Sequence, residues 1–309
     1  MAISRELIVD TLRGRVLRGL QAGTLEPGDR LPSSRELAAE FDVDYRLVIA
    51  AYKSLADEGL VDLRPRGGIY VASGGSPQGG NPPLPERWLA DILTEGLGRE
   101  IPGPELHEWL RRSVETLRLR AVTITTTLDQ GYGLCRELHD DFGVESDALL
   151  AGPLRASDES PLPLRRADLI VTTDAHAEWV RARAADLRKP AIVIDVRPEL
   201  TGGEWALLLR RPVYAVVASV EFGEMLRRFY AKVPGIENLC VVVHGRDDLQ
   251  QIPESAPTYV TQRVRAQLGD ARIPGRILPA TRTISAESAR EIFSFIVRSN
   301  IEAMSRVAR

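Results

Sequence analysis

The chain has 309 residues, 40 basic and 43 acidic side chains for a formal net charge of −3, and an apolar fraction of 44%, enough to fill the cores of two or three domains. Its first twenty residues carry Arg5, Glu6, Asp10, Arg13, Arg15 and Arg18, and no apolar run approaches the ~18 residues of a membrane span, so neither a secretory signal nor a membrane segment is expected and the predicted location is the cytoplasm. Cys135 and Cys240 lack a CxxC partner, and His107, His139, His176 and His244 lack ligand spacing, so disulfide, metal and cofactor chemistry are not expected.

The first strong local signal is "LPSSRELAAEFDVDYRLVIAAYKSLADEGLV", residues 31–61. Ser33 followed by Glu36 forms a capping box and predicts a helix from there to about Glu40. Asp44 is the N-cap of a second helix, with Val43 and Val48 placed as a hydrophobic staple. Ala51, Tyr52 and Leu55 then recur at helical spacing and turn inward, leaving Tyr45, Arg46, Ile49 and Lys53 outside or at the edge. An exposed first turn bearing Tyr and Arg is what a helix entering the DNA major groove needs. Beyond Gly59, "LVDLRPRGGIYVA" predicts a hairpin, a wing with Arg64 and Arg66 at its tip.

These residues resemble the winged-helix DNA-binding domain of the GntR family of bacterial transcription regulators. The resemblance rests on "LQAGTLEPGDRLPS", "RELAAEFDV", "AYKSLADEGLV" and the glycine wing ending "YVA", in that order. It implies DNA contacts from Ser33 and Arg35 at the start of the first helix of the pair. Further contacts are implied from Asp44, Tyr45, Arg46 and Lys53 on the recognition helix, and from Arg64, Arg66, Gly67 and Gly68 in the wing. The family's usual Ser-Arg-Thr-Thr stands here as Asp44-Tyr45-Arg46-Leu47, so the operator sequence does not carry over. Residues 1–72 hold ten basic and eleven acidic side chains, a net of −1, which excludes a generic polyanion binder. Binding must lean on clustered arginines with acids such as Glu40, Asp57, Glu58 and Asp62 facing away, and on two domains acting together in a homodimer on an inverted-repeat, double-stranded operator.

After this domain (1–72), Gly, Ser and Pro displace apolar periodicity over residues 73–86, a linker. In residues 87–309, helical stretches at "ERWLADILTEGL" and "PELHEWLRRSVETLRL" precede the apolar runs "AVTITTT", "ADLIVTT", "PAIVIDV", "PVYAVVAS" and "NLCVVVHG". These runs alternate with amphipathic stretches, the pattern of parallel strands in an α/β domain. The expected fold is therefore multidomain: a winged helix-turn-helix followed by an α/β effector-binding and dimerisation domain. Strand number and spacing resemble a two-lobed, periplasmic-binding-protein-like sensor; a single doubly wound sheet is the competing arrangement. The family's all-helical metal-binding sensors and its aminotransferase-like fusions fit poorly, the first because the region is strand-rich, the second because it is too short.

In such folds ligands bind at the carboxyl ends of the strands, near helix N-termini. Polar residues fall there at Thr126, Thr127 and Asp129; at Thr172, Thr173, Asp174 and His176; at Ser219, Glu221 and Phe222; and at His244, Arg246 and Asp247. Hydroxyls and free helix amides suit a small anionic effector, with Arg197 or Arg246 as its counter-charge. The same Thr, Ser and Asp side chains also serve simply as helix caps. The chain lacks GxSxG, GxxxxGK[ST] and a strand-following GxGxxG, so a non-enzymatic, ligand-responsive regulator, a repressor or an activator, is expected. An α/β enzyme and an architectural DNA-binding protein that senses nothing are the alternatives.

Overall fold

The structure is a computed structural model describing residues 4–21, 25–65, 67–72, 86–115, 117–157, 159–197, 203–269, 271–279 and 282–307. Residues 73–85 of the expected linker lie outside this set, and helix begins at Glu86. The chain forms two compact units that do not follow its order. The first comprises Met1–Pro85, Glu199–Val260 and Gly269–Thr281; the second comprises Glu86–Pro198, Thr261–Leu268 and Arg282–Arg309.

The N-terminal part of the first unit is a winged helix. Helix α1 (Arg5–Gln21) buries Ile8, Leu12 and Val16, and strand β1 (Arg30–Leu31) follows. Helix α2 (Ser34–Phe41) begins with the expected capping box: Glu36 N–H donates to Ser33 Oγ at 3.2 Å and Ser33 N–H to Glu36 at 2.6 Å. It ends at Asp42, whose φ of 52° is one that a short polar side chain tolerates. Helix α3 (Tyr45–Asp57) starts at its N-cap Asp44 and buries Val48, Ala51, Tyr52 and Leu55. Each such large side chain taken out of water contributes roughly 1.5–3 kcal/mol. Strands β2 (Val61–Arg64) and β3 (Gly68–Val71) form the antiparallel wing, with β1 added to give the order β1-β3-β2. Gly68, at φ 116°, takes a backbone conformation that a side chain would strain.

The second unit opens with α4 (Glu86–Gly98) and α5 (Gly103–Glu115). Then β4 (Arg120–Thr125), α6 (Leu128–Phe142), β5 (Glu145–Leu150), α7 (Ala151–Arg155), α8 (Leu162–Arg166), β6 (Leu169–Thr173), α9 (Ala177–Asp186) and β7 (Ala191–Ile194) build a sheet of order β5-β4-β6-β7. All its pairings are parallel. Strands β4 and β6 are buried almost throughout, hence their unbroken apolar and threonine runs. The chain leaves β4 for β5 on one side and returns to β6 on the other, so the switch in winding direction falls between β4 and β6.

The chain next contributes α10 (Glu204–Leu208), β8 (Val213–Val217), α11 (Val220–Phe229), β9 (Leu239–Val243) and β10 (Pro257–Val260) to the first unit. Helix α12 (Gln262–Leu268) belongs to the second, β11 (Arg276–Ile277) to the first and the long α13 (Ala286–Val307) to the second. The second sheet, β9-β8-β10-β11, is also wholly parallel and repeats the strand order of the other. The turn before β9 depends on Gly235, at φ 90°, where a Cβ would lie 2.1 Å from the Leu209 carbonyl oxygen. Helix α13 completes the core of the second unit: Ile292 and Ile296 pack with Leu134, Leu138 and Val171. Asn300, fully buried, accepts from Leu117 N–H at 2.6 Å. Residues 87–309 therefore hold two four-stranded parallel sheets rather than one continuous sheet, and they are shared between the units.

Candidate nucleic-acid interface and ligand-binding loops

The exposed start of α3 carries Tyr45, 45% exposed, with the Arg46 guanidinium 6.0 Å from its ring centroid. Asp44 is occupied as a cap, accepting from Arg46 N–H at 2.8 Å, and Ser33 is occupied by its capping box. Arg35 and Lys53 are exposed on α2 and α3. In the wing, Arg64 stacks 4.1 Å from the Tyr70 ring centroid, while Tyr70 Oη donates to the Gly67 carbonyl at 3.0 Å. That arrangement holds the turn and its arginine in one geometry. Arg66 lies outside the described residues. Arg30 on β1 sits against Gly68 and adds a cation to this face. It went unnoticed in the sequence because its strand has only two residues. A groove of about 390 Å³ runs between Ser33, Ser34 and Ile49 on one side and Leu63, Arg64, Pro65, Gly68 and Ile69 of the wing on the other.

Behind this face lies a buried ionic cluster. Arg15, whose side chain is 9% exposed, pairs with Glu40 at 2.6 Å and with Glu204 on α10; Arg18 reaches Glu204 at 2.9 Å, and Arg276 on β11 reaches Glu40. Burial opposes the Arg15 charge, but Glu204 and Glu40 outweigh it and raise its pKa. Asp42, in the turn between α2 and α3, pairs with Arg210 at 3.1 Å and Arg211 at 3.3 Å. Glu40 is thus a buried partner rather than a solvent-facing acid. The helix pair is clamped on the β8-bearing sheet of its own unit by residues that local pattern reading left unassigned.

In the second unit, the loops after β4 and β6 meet at the switch point. Thr126 Oγ1 and His176 Nε2 are 3.0 Å apart, and Arg155 approaches His176 Nδ1 at 3.2 Å. An arginine only donates, so Nδ1 accepts and Nε2 carries the ring hydrogen. His176 then donates to Thr126 and cannot take a proton from it, which leaves the Thr126 hydroxyl hydrogen to point outward. Burial first, and Arg155 second, lower the His176 pKa and keep the ring neutral. Arg155 also lies 5.4 Å from the Trp179 ring centroid and has no carboxylate partner among the described residues. Thr127 caps α6. Thr172 donates to the Ile124 carbonyl at 2.8 Å and is fully buried, and Thr173 is buried. Asp129, with no side-chain exposure, accepts from Thr261 at 2.8 Å and lies 4.0 Å from Arg263. Asp174 is exposed; Arg197 follows β7, its amide bonded to the Thr283 carbonyl.

The remaining candidates belong to the first unit. Ser219 caps α11 by accepting from Phe222 N–H at 3.4 Å, Phe222 is buried and Glu221 is exposed. His244 N–H continues the ladder to the Val217 carbonyl. Arg246 is held by both oxygens of Asp247, at 2.9 and 3.0 Å. Asp247 also accepts from Val243 N–H at 2.8 Å; Arg246 and then this backbone bond lower its pKa. The structure therefore brings Thr126 and His176 together with Arg155, a residue whose only sequence signal is its place at the end of the short α7.

A capped helix pair with an exposed, arginine-bearing second helix and a basic wing defines a winged-helix DNA-binding domain. Residues 8–71 match the family described as bacterial regulatory proteins, gntR family, and the chain carries a GntR-family helix-turn-helix domain at its N-terminus. Among curated proteins it is similar to the HTH-type transcriptional regulator Rv1152 of Mycobacterium tuberculosis, 38% identical over 65 residues, 21% of this chain and 54% of that protein. It is also similar to the vitamin B6 salvage pathway transcriptional repressor PtsJ of Salmonella typhimurium, 35% identical over 127 residues, 34% of this chain and 29% of that one. A third relative is the HTH-type transcriptional repressor YtrA of Bacillus subtilis, 27% identical over 34% of this chain and 80% of the relative. The chain thus spans about half the length of the first of these relatives and under a third of the second. Among solved structures, YtrA from Sulfolobus acidocaldarius, a GntR-family transcription factor, is 29% identical over 36% of this chain and 86% of that chain, with a TM-score of 0.23.

Proposed function

We propose that this protein is a ligand-responsive transcription regulator that binds an inverted-repeat operator as a homodimer and acts as a repressor, as two of its relatives are named. The observation that carries the reading is the family match over residues 8–71, together with exposed Tyr45, Arg46 and Arg64 on the elements that meet DNA. One such domain of near-neutral charge supplies few phosphate contacts, and two-fold symmetry doubles them. A DNA target would call for a cytoplasmic location. In this reading residues 1–72 bind DNA, 73–86 link, and 87–309 sense and dimerise as a two-lobed, periplasmic-binding-protein-like domain with one parallel sheet in each lobe.

The effector we assign is a small carboxylate or phosphate at the switch point of the β4-bearing sheet. Arg155 offers charge there, Thr126 a hydroxyl hydrogen, and α6 the partial positive charge of its N-terminus. An effector alters DNA binding only by the difference in its affinity for two arrangements of the dimer. With His176 donating to Thr126, the ring does not act as a base for that hydroxyl, which supports sensing over turnover.

Operator selection from a random DNA pool, followed by affinity measurement with a panel of carboxylates and phosphorylated metabolites, tests the reading. An inverted repeat and a stabilising anion that shifts operator affinity are expected. A single copy bound at full affinity to an asymmetric site would overturn the dimeric reading; an anion that is consumed would replace sensing with catalysis.

A further inference from the structure

The outer face of α13 leaves apolar side chains exposed, although Phe293 also packs against Phe142 with ring centroids 4.7 Å apart. Ile292, Ile296 and Asn300 turn into the core, while Phe293 and Ile301, 42% and 47% exposed, line an open groove of about 830 Å³ on the other side with Val297. Helix α5 packs on α13 and α4 packs on α5; these two helices add six large apolar side chains at 39–63% exposure, Leu97 and Trp109 among them. Exposed apolar side chains in such number on three adjoining helices are more than scattered surface residues explain, and a stable dimer buries ~800 Å² per partner.

We propose that this face is the homodimer interface, with α13 packed antiparallel against α13 of a second copy and Ile301 near the two-fold axis. Helical geometry gives the register a charge test. Arg298 and Glu302, both exposed, lie one turn apart on the same flank of Ile301. In an antiparallel pair centred beside Ile301, Val297 faces Met304 of the second copy, and Arg298 faces Glu302 of the second copy, twice by symmetry. In a parallel pair the two flanks exchange sides, so Arg298 does not meet Glu302 of the second copy, and an antiparallel pair centred at Arg298 sets the two Arg298 side chains against each other. A second copy is therefore the occupant whose charges this face complements. The inference rests on the homodimer of the proposed function and names its surface.

Analytical ultracentrifugation of the full chain, without DNA or effector, measures the dimer independently of operator and ligand. Arg298→Glu and Glu302→Arg are each expected to weaken it by ~10-fold or more, and the double reversal to restore it. In a Cys135→Ser, Cys240→Ser background, Ile301→Cys should form a covalent dimer on mild oxidation, whereas Cys placed at Glu287 should not. A monomer at tens of micromolar, or a dimer indifferent to both reversals and lacking the Ile301→Cys cross-link, overturns the proposal. Retained circular dichroism in each variant shows that the fold is not the cause. Failure of DNA binding with an intact dimer would instead overturn the regulatory reading and leave this interface standing.

Discussion

The two parallel sheets share one strand order but differ in what their loops hold. At the switch point of β5-β4-β6-β7, Thr126, His176 and Arg155 form a chain of donors ending in a hydroxyl and a guanidinium without a carboxylate partner among the described residues. In β9-β8-β10-β11, the corresponding loops are closed on themselves: Ser219 caps its helix, and Arg246 is neutralised by Asp247. That second sheet instead supports the winged helix through Glu204 and Arg276. Equal topology thus carries unequal chemistry. Position at the strand ends does not distinguish the two sheets as ligand sites, whereas the pairing state of each arginine does.

The anchoring role of the second sheet gives the largest expected effect. Glu204→Ala removes one of the two carboxylates that hold Arg15 and the carboxylate that holds Arg18, leaving Glu40 to face the buried cationic charge beside Phe41, so a loss of about 3 kcal/mol in unfolding free energy, the low end for a broken buried pair, is expected. Urea titration measures it. A loss of a few tenths of a kcal/mol would mean that water reaches the cluster and that the sheet does not anchor the helix pair.

Replacement of the arginines sharpens the contrast between the loops. Arg155→Ala should weaken binding of the stabilising anion by about 1.5–3 kcal/mol, the value of a hydrogen bond to a charged group, while Arg246→Ala should leave it unchanged. Isothermal titration of both variants decides; an equal loss, or a loss only at Arg246, would move the site to the other sheet. On the DNA face, Arg46→Ala should relax preference at one or two base pairs at a cost of ~1–3 kcal/mol, and Arg35→Ala should weaken all sequences alike. Intact operator discrimination in Arg46→Ala would shift the readout to Tyr45 or the wing.

How legible each region was in the sequence follows from the range of the forces involved. The helix pair is set by contacts three or four residues apart, the Ser33–Glu36 box and the Asp44 cap, and these are written in adjacent letters. Strands β4, β6 and β8 announce themselves as continuous apolar runs because they are buried on both faces, and the edge strands β7 and β9 keep apolar runs although they are only partly buried on one face. The edge strand β5 does not: Ser146 and Asp147 interrupt its run, and the short α7 that delivers Arg155 follows from it. Strand β10, Pro257–Val260, opens on a proline and mixes Thr and Tyr with a single valine, so it shows no apolar run, and β11 has only two residues. The partners of the ionic cluster, Arg15 and Glu204, are 189 residues apart in the chain, a separation that no local pattern spans.

The smallest effect concerns the protonation of His176, and it separates the two sets of loops by pH. Burial and Arg155 hold its pKa below the usual 6.5, so the folded protein keeps the ring neutral where the unfolded chain would begin to take up a proton. The resulting stability is fully present above pH 6.5 and is lost as pH falls through the lowered folded value, because protonation abolishes the acceptor that Arg155 uses. Asp247, shifted downward by Arg246, stays ionised across the same interval, so the other sheet's loop adds no change there. The difference in melting temperature between the wild type and His176→Gln should therefore be constant from pH 8 to 7 and shrink below pH 6.5, while the matching difference for Arg246→Ala stays level. If the His176→Gln difference is flat down to pH 5, the ring is not held neutral by its neighbours, and the outward-pointing Thr126 hydroxyl, on which the choice between the two sheets partly rests, loses its support.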